Sequence, residues 1–366
     1  MNVREQKTEQ DTCQQIDRAA LEWEVEGQTF LRMNEKGDTN TSEHTKLLEF
    51  ILSPTNLHRA YKRVRQNEGS GGIDGMDTNE LRTYLQSHLE ELIATVQKGK
   101  YKPQAVRRVE ISKENGKKRQ LGIPTVVDRV IQQAITQQLS PIYERQFSAS
   151  SYGFRPKRSA HQAVMQCQKS ANEGYIYVVD MDLEKFFDQV NQSKLIEVLS
   201  RTIKDGRVVS LIHKYLRAGV MVQKQYEETL MGVPQGGNLS PLLSNIMLNE
   251  LDKELEKRGH RFVRYADDCM IFCKSKRASE RVLGSITKYI EQTLYLKVNE
   301  EKTVVAHIKD VKFLGYGFYF AEDGCRIRLH GKSEEKMKSK IRELTSRSNG
   351  WGNEQRKEKL GQYIIG

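Results

Sequence analysis

Two adjacent aspartates stand between two apolar half-strands, and this arrangement leaves few folds open to the chain. The segment reads Arg261-F-V-R-Y-A-D-D-C-M-I-F-Cys273, which predicts a β-hairpin with Ala266-Asp267-Asp268 at its tip. Neighbouring carboxylates repel one another unless a cation neutralises them. The tip is therefore a candidate divalent-metal site. The alternative is a turn whose acids simply point into solvent.

A second acidic segment lies where another apolar strand ends. It reads Tyr175-I-Y-V-V-D-M-Asp182 and continues as L-E-K-F-F-Asp188. Strand alternation places Asp180 and Asp182 on one side of the strand. Strands often end in solvated acids, but a third carboxylate near the Asp267–Asp268 pair favours a metal site of the kind that polymerases and nucleases use.

The second half of the chain predicts an α+β arrangement. The Asp182 strand is followed by a helix from about Gln192 and by a long helix from Ser240 to about Arg258. After the hairpin come a helix and a short strand at Leu296-K-Val298. This order suits an antiparallel sheet backed by helices on one face.

The first half predicts mainly helices around a basic hairpin. Helical spacing begins at Lys46 and is broken at Ser53-Pro54. Two short basic runs, Arg107–Ile111 and Arg119–Ile123, flank the turn Lys113-E-N-G-Lys117 and predict a hairpin. Pro124 is expected to open the next helix, and Ser159 to cap another.

Charge and composition narrow the function classes. The formal net charge of +11 points to an anionic partner such as nucleic acid. The first 45 residues are acidic and polar, so the rest of the chain is more basic than the total. Five scattered cysteines without a C-x-x-C pair indicate neither a disulfide framework nor a zinc site. No apolar run is long enough for a membrane span and no signal peptide is apparent, so we expect a soluble, cytoplasmic protein.

Several motifs occur in the order found in reverse transcriptases. Tyr265-A-D-Asp268 resembles their Y-x-D-D box, and Asp182 with Phe186 and Phe187 resembles their first acidic box. The resemblance extends through Lys118-R-Q-L-G-I-P-Thr125, Ser151-Y-G-F-R-P-Lys157, Gly232-V-P-Q-G-G-N-L-S-Pro241, Leu296-K-V-N-E-E-K-Thr303 and Lys312-F-L-G-Tyr316. The S-Y-G-F-R-P wording and Ile73-D-Gly75 are similar to the reverse transcriptases encoded by bacterial group II introns.

This resemblance implies a fold and a reaction. The fold is the right-hand polymerase fingers and palm, with an antiparallel palm sheet backed by helices and the start of a helical thumb. Asp182, Asp267 and Asp268 would hold two Mg²⁺ ions, with Mn²⁺ as a substitute, for attack of a primer 3′-hydroxyl on a deoxynucleotide. The implied function is RNA-directed DNA polymerase.

The resemblance also assigns contacts to other residues. Nucleotide contacts are expected from Arg119, Phe187, Gln235 and Lys302. Phe187 would exclude the ribose 2′-hydroxyl while Phe186 stays in the core, and Lys302 would protonate the leaving pyrophosphate. Nucleic-acid contacts are expected from Arg155, Lys157, Arg158, Tyr265, Phe313, Leu314 and Gly315. A solvated lysine at 302, surface arginines and a buried Phe313 strand are the alternatives. The Gly69–Gly75 loop lacks the G-K-[ST] ending of a phosphate-binding loop.

Four regions are predicted: a polar tail at 1–45, fingers at 46–173, palm at 174–308, and primer grip with the start of a truncated thumb at 309–366. Partners implied by the family are group II intron RNA, an RNA template with a DNA primer, and deoxynucleotides. A homodimer is left open. Two other interpretations remain at this point, an RNA-binding maturase without effective polymerisation and a sibling of retron or diversity-generating enzymes.

Overall fold

The computed structural model describes residues 46–112 and 118–365. The predictions for the 1–45 tail and for the turn at 113–117 lie outside this range. The helices are α1 (Leu47–Ile51), α2 (Pro54–Gln66), α3 (Leu81–Gln97), α4 (Val126–Glu144), α5 (Ala160–Asn172), α6 (Phe186–Gln189), α7 (Gln192–Thr202), α8 (Gly206–Leu216), α9 (Ser240–Lys257), α10 (Lys276–Thr293), α11 (Gly331–Thr345) and α12 (Asn353–Ile365), with 3₁₀ turns at Ile308–Asp310 and Arg347–Asn349. The strands are β1 (Val106–Ser112), β2 (Lys118–Ile123), β3 (Tyr177–Met181), β4 (Val220–Val222), β5 (Gln225–Glu227), β6 (Arg261–Tyr265), β7 (Asp268–Cys273), β8 (Val304–His307), β9 (Tyr316–Ala321) and β10 (Gly324–Leu329).

The chain forms two compact units, each assembled from three segments. The first unit comprises the described residues up to Ala149 together with Leu183–Glu254 and Lys288–Val298. The second comprises Ser150–Asp182, Leu255–Thr287 and the chain from Asn299 onward. The four regions predicted from the sequence are each a single stretch of the chain, unlike these two units. The boundaries of the four regions remain predictions.

The first unit contains the basic hairpin that the sequence predicted. Strands β1 and β2 pair antiparallel, β4 joins β1 in parallel, and β5 completes the sheet order β2-β1-β4-β5. Helix α4 has its apolar line buried from Val127 to Leu139. The helix begins at Val126 instead of Pro124, because the Thr125 side chain accepts a hydrogen bond from the Asp128 backbone N–H and so acts as the N-cap.

The second unit is built on an antiparallel sheet in the order β6-β7-β3-β8. Its side chains pack against α5, which contributes Val164 and Cys167 to a core shared with Val178, Met270 and Phe318. Helix α5 begins with the predicted Ser159 cap, in a full capping box with Gln162. This sheet and helix confirm the predicted α+β class, and two helices follow the β9–β10 hairpin.

The predicted strand at Leu296–Val298 is wrong. Val298 makes only a single bridge, to Leu183, and the fourth strand of the sheet is β8, which pairs with β3. Leu296 and Val298 are buried without a continued ladder. The chain then turns, because the backbone N–H groups of Lys302 and Thr303 both donate to the Asn299 carbonyl. Among the described helices, none is long and apolar enough to cross a membrane.

Candidate active site

The acidic tip of the β6–β7 hairpin is a two-residue turn. Tyr265 and Asp268 form the last strand pair, so Ala266 and Asp267 are the turn residues. Ala266 has a φ of +57°, a left-handed conformation that a residue with a side chain adopts at a cost. The turn therefore persists because its surroundings hold it.

Arg264 and the Ser151–Gly153 segment supply those surroundings. Arg264 is completely buried and donates from Nη1 to the Ala266 carbonyl at 2.8 Å and from Nη2 to Ser151 Oγ at 2.8 Å. The Tyr152 N–H donates to the Arg264 carbonyl at 2.8 Å. A Cβ on Gly153 would lie 2.2 Å from the Ala266 nitrogen, so only glycine allows this approach. Part of the S-Y-G-F-R-P motif thus braces the turn.

Asp182 directly follows β3, the strand beside β7 in the sheet. Its Oδ2 accepts hydrogen bonds from Asn299 Nδ2 at 2.9 Å and from Lys302 Nζ at 3.0 Å. Its backbone is fixed too, because its carbonyl accepts from the Asn299 N–H at 2.9 Å and its N–H donates to Thr303 Oγ1. The structure therefore brings Lys302 to a catalytic candidate, which the sequence had only matched by motif.

The acids of this unit influence one another electrostatically. Desolvation, followed by the charges of Asp267 and Asp182, raises the pKa of Asp268 to about 6, although its side chain keeps solvent contact. Burial, followed by the charges of Asp268 and Asp182, raises the pKa of Asp180 to about 6. Asp180 was not among the predicted site residues. Its alternation with Asp182 along the strand was the signal that could have included it.

The carboxylates fit a divalent ion that shares its ligands with a substrate. Within residues 46–112 and 118–365, no three His, Cys, Asp or Glu side chains converge closely enough to hold a metal by themselves. Mg²⁺, however, is commonly bound by one or two carboxylates together with substrate phosphates and water. Burial and, after it, the charges of Asp267 and Asp182 disfavour the ionised form of Asp268, and a bound cation would offset part of this cost.

Three predicted nucleotide contacts lie together in the first unit. Arg119 Nε donates to Gln235 Oε1 at 2.9 Å, and the Gly122 N–H donates to the Gln235 carbonyl. Gln235 and Phe187 line one cavity of about 280 Å³. Lys185, which sequence reasoning missed, lines it as well. The cation of Lys185, the amide of Gln235 and the ring of Phe187 thus line one cavity and have the chemistry to contact phosphate, base and sugar.

Phe186 and Phe187 are both buried, and their rings meet edge to face with centroids 5.3 Å apart. Of the two, Phe187 borders the cavity. The sequence predicted the first ring in the core and the second on the nucleotide side. The role of Phe187 remains a prediction.

The predicted nucleic-acid contacts differ in exposure. Lys157 is exposed, and the Arg158 guanidinium lies 5.2 Å from the Tyr152 ring centroid. Arg155 is buried and donates to the Ser151 carbonyl at 2.7 Å, so the structure gives it an internal role that the sequence did not predict. Tyr265 is half-buried beside the turn.

The predicted primer-grip residues form a tight turn. Phe313 and Tyr316 exchange both backbone hydrogen bonds at 2.9 Å, leaving Leu314 and Gly315 as the turn residues. Both have positive φ, which is favourable for glycine and unusual for leucine. Phe313 is buried in the core of the second unit, as the alternative interpretation of this segment expected. Its contact with a primer stays a prediction.

The chain is similar to one protein family and to several individual proteins. Residues 111–318 match the family described as reverse transcriptase (RNA-dependent DNA polymerase). Protein YkfC of Escherichia coli (strain K12) is 33% identical over 312 residues, which cover 74% of this chain and 82% of YkfC. The group II intron-encoded protein LtrA of Lactococcus lactis subsp. cremoris is 30% identical over 372 residues, which cover 83% of this chain and 62% of LtrA.

A putative COX1/OXI3 intron 2 protein of Saccharomyces cerevisiae is 29% identical over 353 residues, covering 78% of this chain and 41% of that protein. The chain therefore spans less than two thirds of the length of LtrA and of this yeast relative. The family match covers more than half of the chain and contains the acidic turn, the Asp182 segment and the Arg119 hairpin strand. The chain belongs to the reverse transcriptase family, with group II intron-encoded proteins among its relatives, as its ordered motifs predicted.

Proposed function

We propose that this chain is an RNA-directed DNA polymerase of the group II intron-encoded kind. The observation that supports it most directly is the arrangement of three acids in the second unit. A braced turn carries Asp267 and leads into Asp268, the first residue of β7, and Asp182 follows the neighbouring strand β3. The pKa of Asp268 is raised first by desolvation and then by the charges of Asp267 and Asp182, which supports a cation at this place.

Two Mg²⁺ ions are the proposed cofactor, with Mn²⁺ as a substitute. Asp182 and Asp267 would hold them and Asp268 would support the site. When bound, the ions would lower the pKa of the primer 3′-hydroxyl and neutralise the charge that builds up on the leaving phosphates. The chain itself supplies fixed geometry, because Asn299 orients the Asp182 carboxylate and Arg264 holds the turn.

Lys302 is the proposed general acid for the leaving pyrophosphate. Its ammonium group is 3.0 Å from Asp182 Oδ2, and most of its side chain is exposed and able to move. A proton on Nζ is therefore next to a carboxylate that would bind the metal. Protonation of pyrophosphate would make it a better leaving group.

Nucleotide binding is assigned to the first unit. Arg119 would contact the triphosphate, since a guanidinium fork matches phosphate oxygens. Gln235 holds that guanidinium in place through its side chain, and the Phe187 ring would lie where a ribose 2′-hydroxyl is excluded. Lys157, Arg158, Tyr265 and the Phe313–Gly315 turn would contact template and primer, with Arg155 supporting them from inside.

RNA is the proposed macromolecular partner, both as template with a DNA primer and as a group II intron RNA whose splicing the chain assists. LtrA and the yeast relative are named as intron proteins, and one further relative is a nuclear intron maturase of Arabidopsis thaliana, 30% identical over 177 residues. A maturase role without effective polymerisation is the second candidate. A cytoplasmic location and a homodimer belong to the same set of proposals.

Primer extension tests the polymerase. A DNA primer annealed to an RNA template would be extended with deoxynucleotides and Mg²⁺ by the wild-type chain and by Asp310→Asn, an exposed acid outside the site. Asp267→Asn should reduce extension at least about 10³-fold, because the carboxylate charge is lost while the shape remains. RNA binding, measured in parallel, should be unchanged.

Extension by Asp267→Asn at the wild-type rate would contradict the assignment of the site. If the wild-type chain also fails to extend but binds structured RNA tightly, the maturase interpretation is favoured. Chelation of divalent ions should stop extension and excess Mg²⁺ should restore it, which tests the cofactor apart from the carboxylate.

A further inference from the structure

A second concave surface lies in the same unit as the acidic turn, at the other end of the β6–β7 hairpin. The strand register pairs Arg261 with Phe272 at this end and Tyr265 with Asp268 at the turn. Four residues of extended strand separate the two ends, a distance of about 14 Å. The surface encloses about 500 Å³ and is bounded by the start of β6, the end of β7 and the first turns of α10.

This basic cavity, defined by Tyr175, Arg261, Lys274 and Arg281, has an unbalanced charge. Its lining contains three cationic side chains and no acidic one. Arg261 is paired with Glu173. In the described part of the chain, Lys274 and Arg281 have no ion-pair partner. Two positive charges therefore face the same concavity without neutralisation.

An aromatic ring holds two of the cations close together. The Arg261 guanidinium carbon is 4.6 Å from the Tyr175 ring centroid, and Lys274 Nζ is 5.2 Å from it. Each cation is attracted to the ring, while the two repel each other. The attraction to the ring offsets part of the repulsion between the two cations, and an anion that enters the cavity would offset the rest.

The cations of the cavity are spread over different elements, which suits a chain of phosphates better than a single small anion. Its free cations come from different elements, Lys274 after β7 and Arg281 on α10. The apolar residues Phe272 and Val282 also line the cavity but are themselves buried. Gly259, which also lines the cavity, has open space where a side chain would be, so a backbone can approach closely.

We infer that the basic cavity is a second RNA-binding site, which holds the phosphate backbone of an RNA segment that is not being copied. The inference rests on the proposed function, which supplies RNA as the partner. The cavity and the acidic turn occupy opposite ends of one hairpin, so the bound segment is proposed to be separate from the nucleotides at the polymerase site. The chain would thereby retain a structured RNA while its polymerase site works on another part of it.

The test is the double variant Lys274→Glu, Arg281→Glu. Binding of a fluorescein-labelled RNA hairpin is measured by anisotropy between 0.05 and 0.5 M salt, roughly the range in which counterion release dominates. Affinity should fall about tenfold at 0.1 M salt, and the slope of log affinity against log salt should become shallower by about 1.5, as expected for two lost phosphate contacts. Extension of a short primer on a short RNA template should keep the wild-type rate.

The matched control is Lys169→Glu, Lys309→Glu, which makes the same change of net charge at two exposed lysines outside the cavity. The milder Lys274→Gln, Arg281→Gln variant guards against misfolding, and thermal melts verify each protein. Loss of hairpin affinity in the cavity variants alone, with extension intact, supports the second site.

Three results would overturn the inference. These are unchanged hairpin binding in the cavity variants, an equal loss in the control, and a parallel loss of short-template extension, which would mean that the cavity serves the copied strand. Failure of the wild-type chain to extend any primer would instead refute the proposed polymerase, and the binding comparison would still decide the cavity.

Discussion

Gly153→Ala probes the brace of the acidic turn with the smallest side chain available. The added Cβ would lie 2.2 Å from the Ala266 nitrogen and 2.9 Å from the Tyr265 carbonyl carbon, where ordinary contacts are 3.4–4 Å. Both neighbours are backbone atoms and cannot rotate away. The two segments must therefore separate by roughly 1 Å, which costs about 1–3 kcal/mol as an overpacked site.

Two consequences of this separation can be measured. The melting temperature should fall by about 2–10 °C, using the usual relation between free energy and melting temperature for a unit of this size. The separation also moves Asp267, the next residue after Ala266. A misplacement of about 1 Å can cost 10²-fold in rate, so primer extension at 20 °C should fall more than the folded fraction does.

Gly284→Ala is the matched control. Gly284 is inside α10, and a Cβ there would meet nothing within 4 Å. Alanine is the better helix former, so this variant should be more stable by about 0.5–1 kcal/mol and fully active. The same substitution of glycine by alanine is thus expected to destabilise the chain at position 153 and to stabilise it at position 284. Wild-type melting and wild-type extension by Gly153→Ala would refute the brace.

Three further predictions concern single side chains. Arg264→Met leaves the buried Ala266 carbonyl without its donor and should destabilise the chain by about 2–5 kcal/mol in urea unfolding. Arg264→Lys should recover part of this loss. Equal stability of both variants and the wild type would contradict the role of Arg264 in holding the turn. Lys302→Gln should slow primer extension. It should shift the free energy of unfolding by less than about 1 kcal/mol, because 64% of the side chain is exposed. An unaltered extension rate would contradict the proposal that Lys302 is the general acid. Burial raises the pKa of Asp128, so the folded chain binds this proton more tightly than the unfolded chain does, and the contribution of Asp128 to stability declines as pH rises from about 4. Asp128→Asn should therefore weaken the decline of the urea midpoint between pH 4.5 and 7.5. A steeper decline in the variant would contradict this argument.

Much of the site was predictable because it is encoded in short segments. The β6–β7 hairpin, the strand before Asp182 and the Ser159 cap each follow from residue types within a few positions of one another. Turns, caps and strand alternation depend on neighbouring residues, so they can be predicted from a single sequence. The failed strand at Leu296–Val298 has the same origin, since three alternating residues do not specify whether a ladder partner exists.

The sequence by itself determined the class of the fold, the acidic turn and the family, because ordered motifs and apolar periodicity are carried by neighbouring residues. Only the tertiary structure decided which residues those motifs contact. It turned Arg155 inward, brought Lys302 to Asp182 across 120 positions, and set Gly153 against Ala266. It also gathered Tyr175, Arg261, Lys274 and Arg281 around one cavity. Hydrogen bonds, close approach and charge repulsion act through space, and the distances on which they depend exist only once the chain has folded.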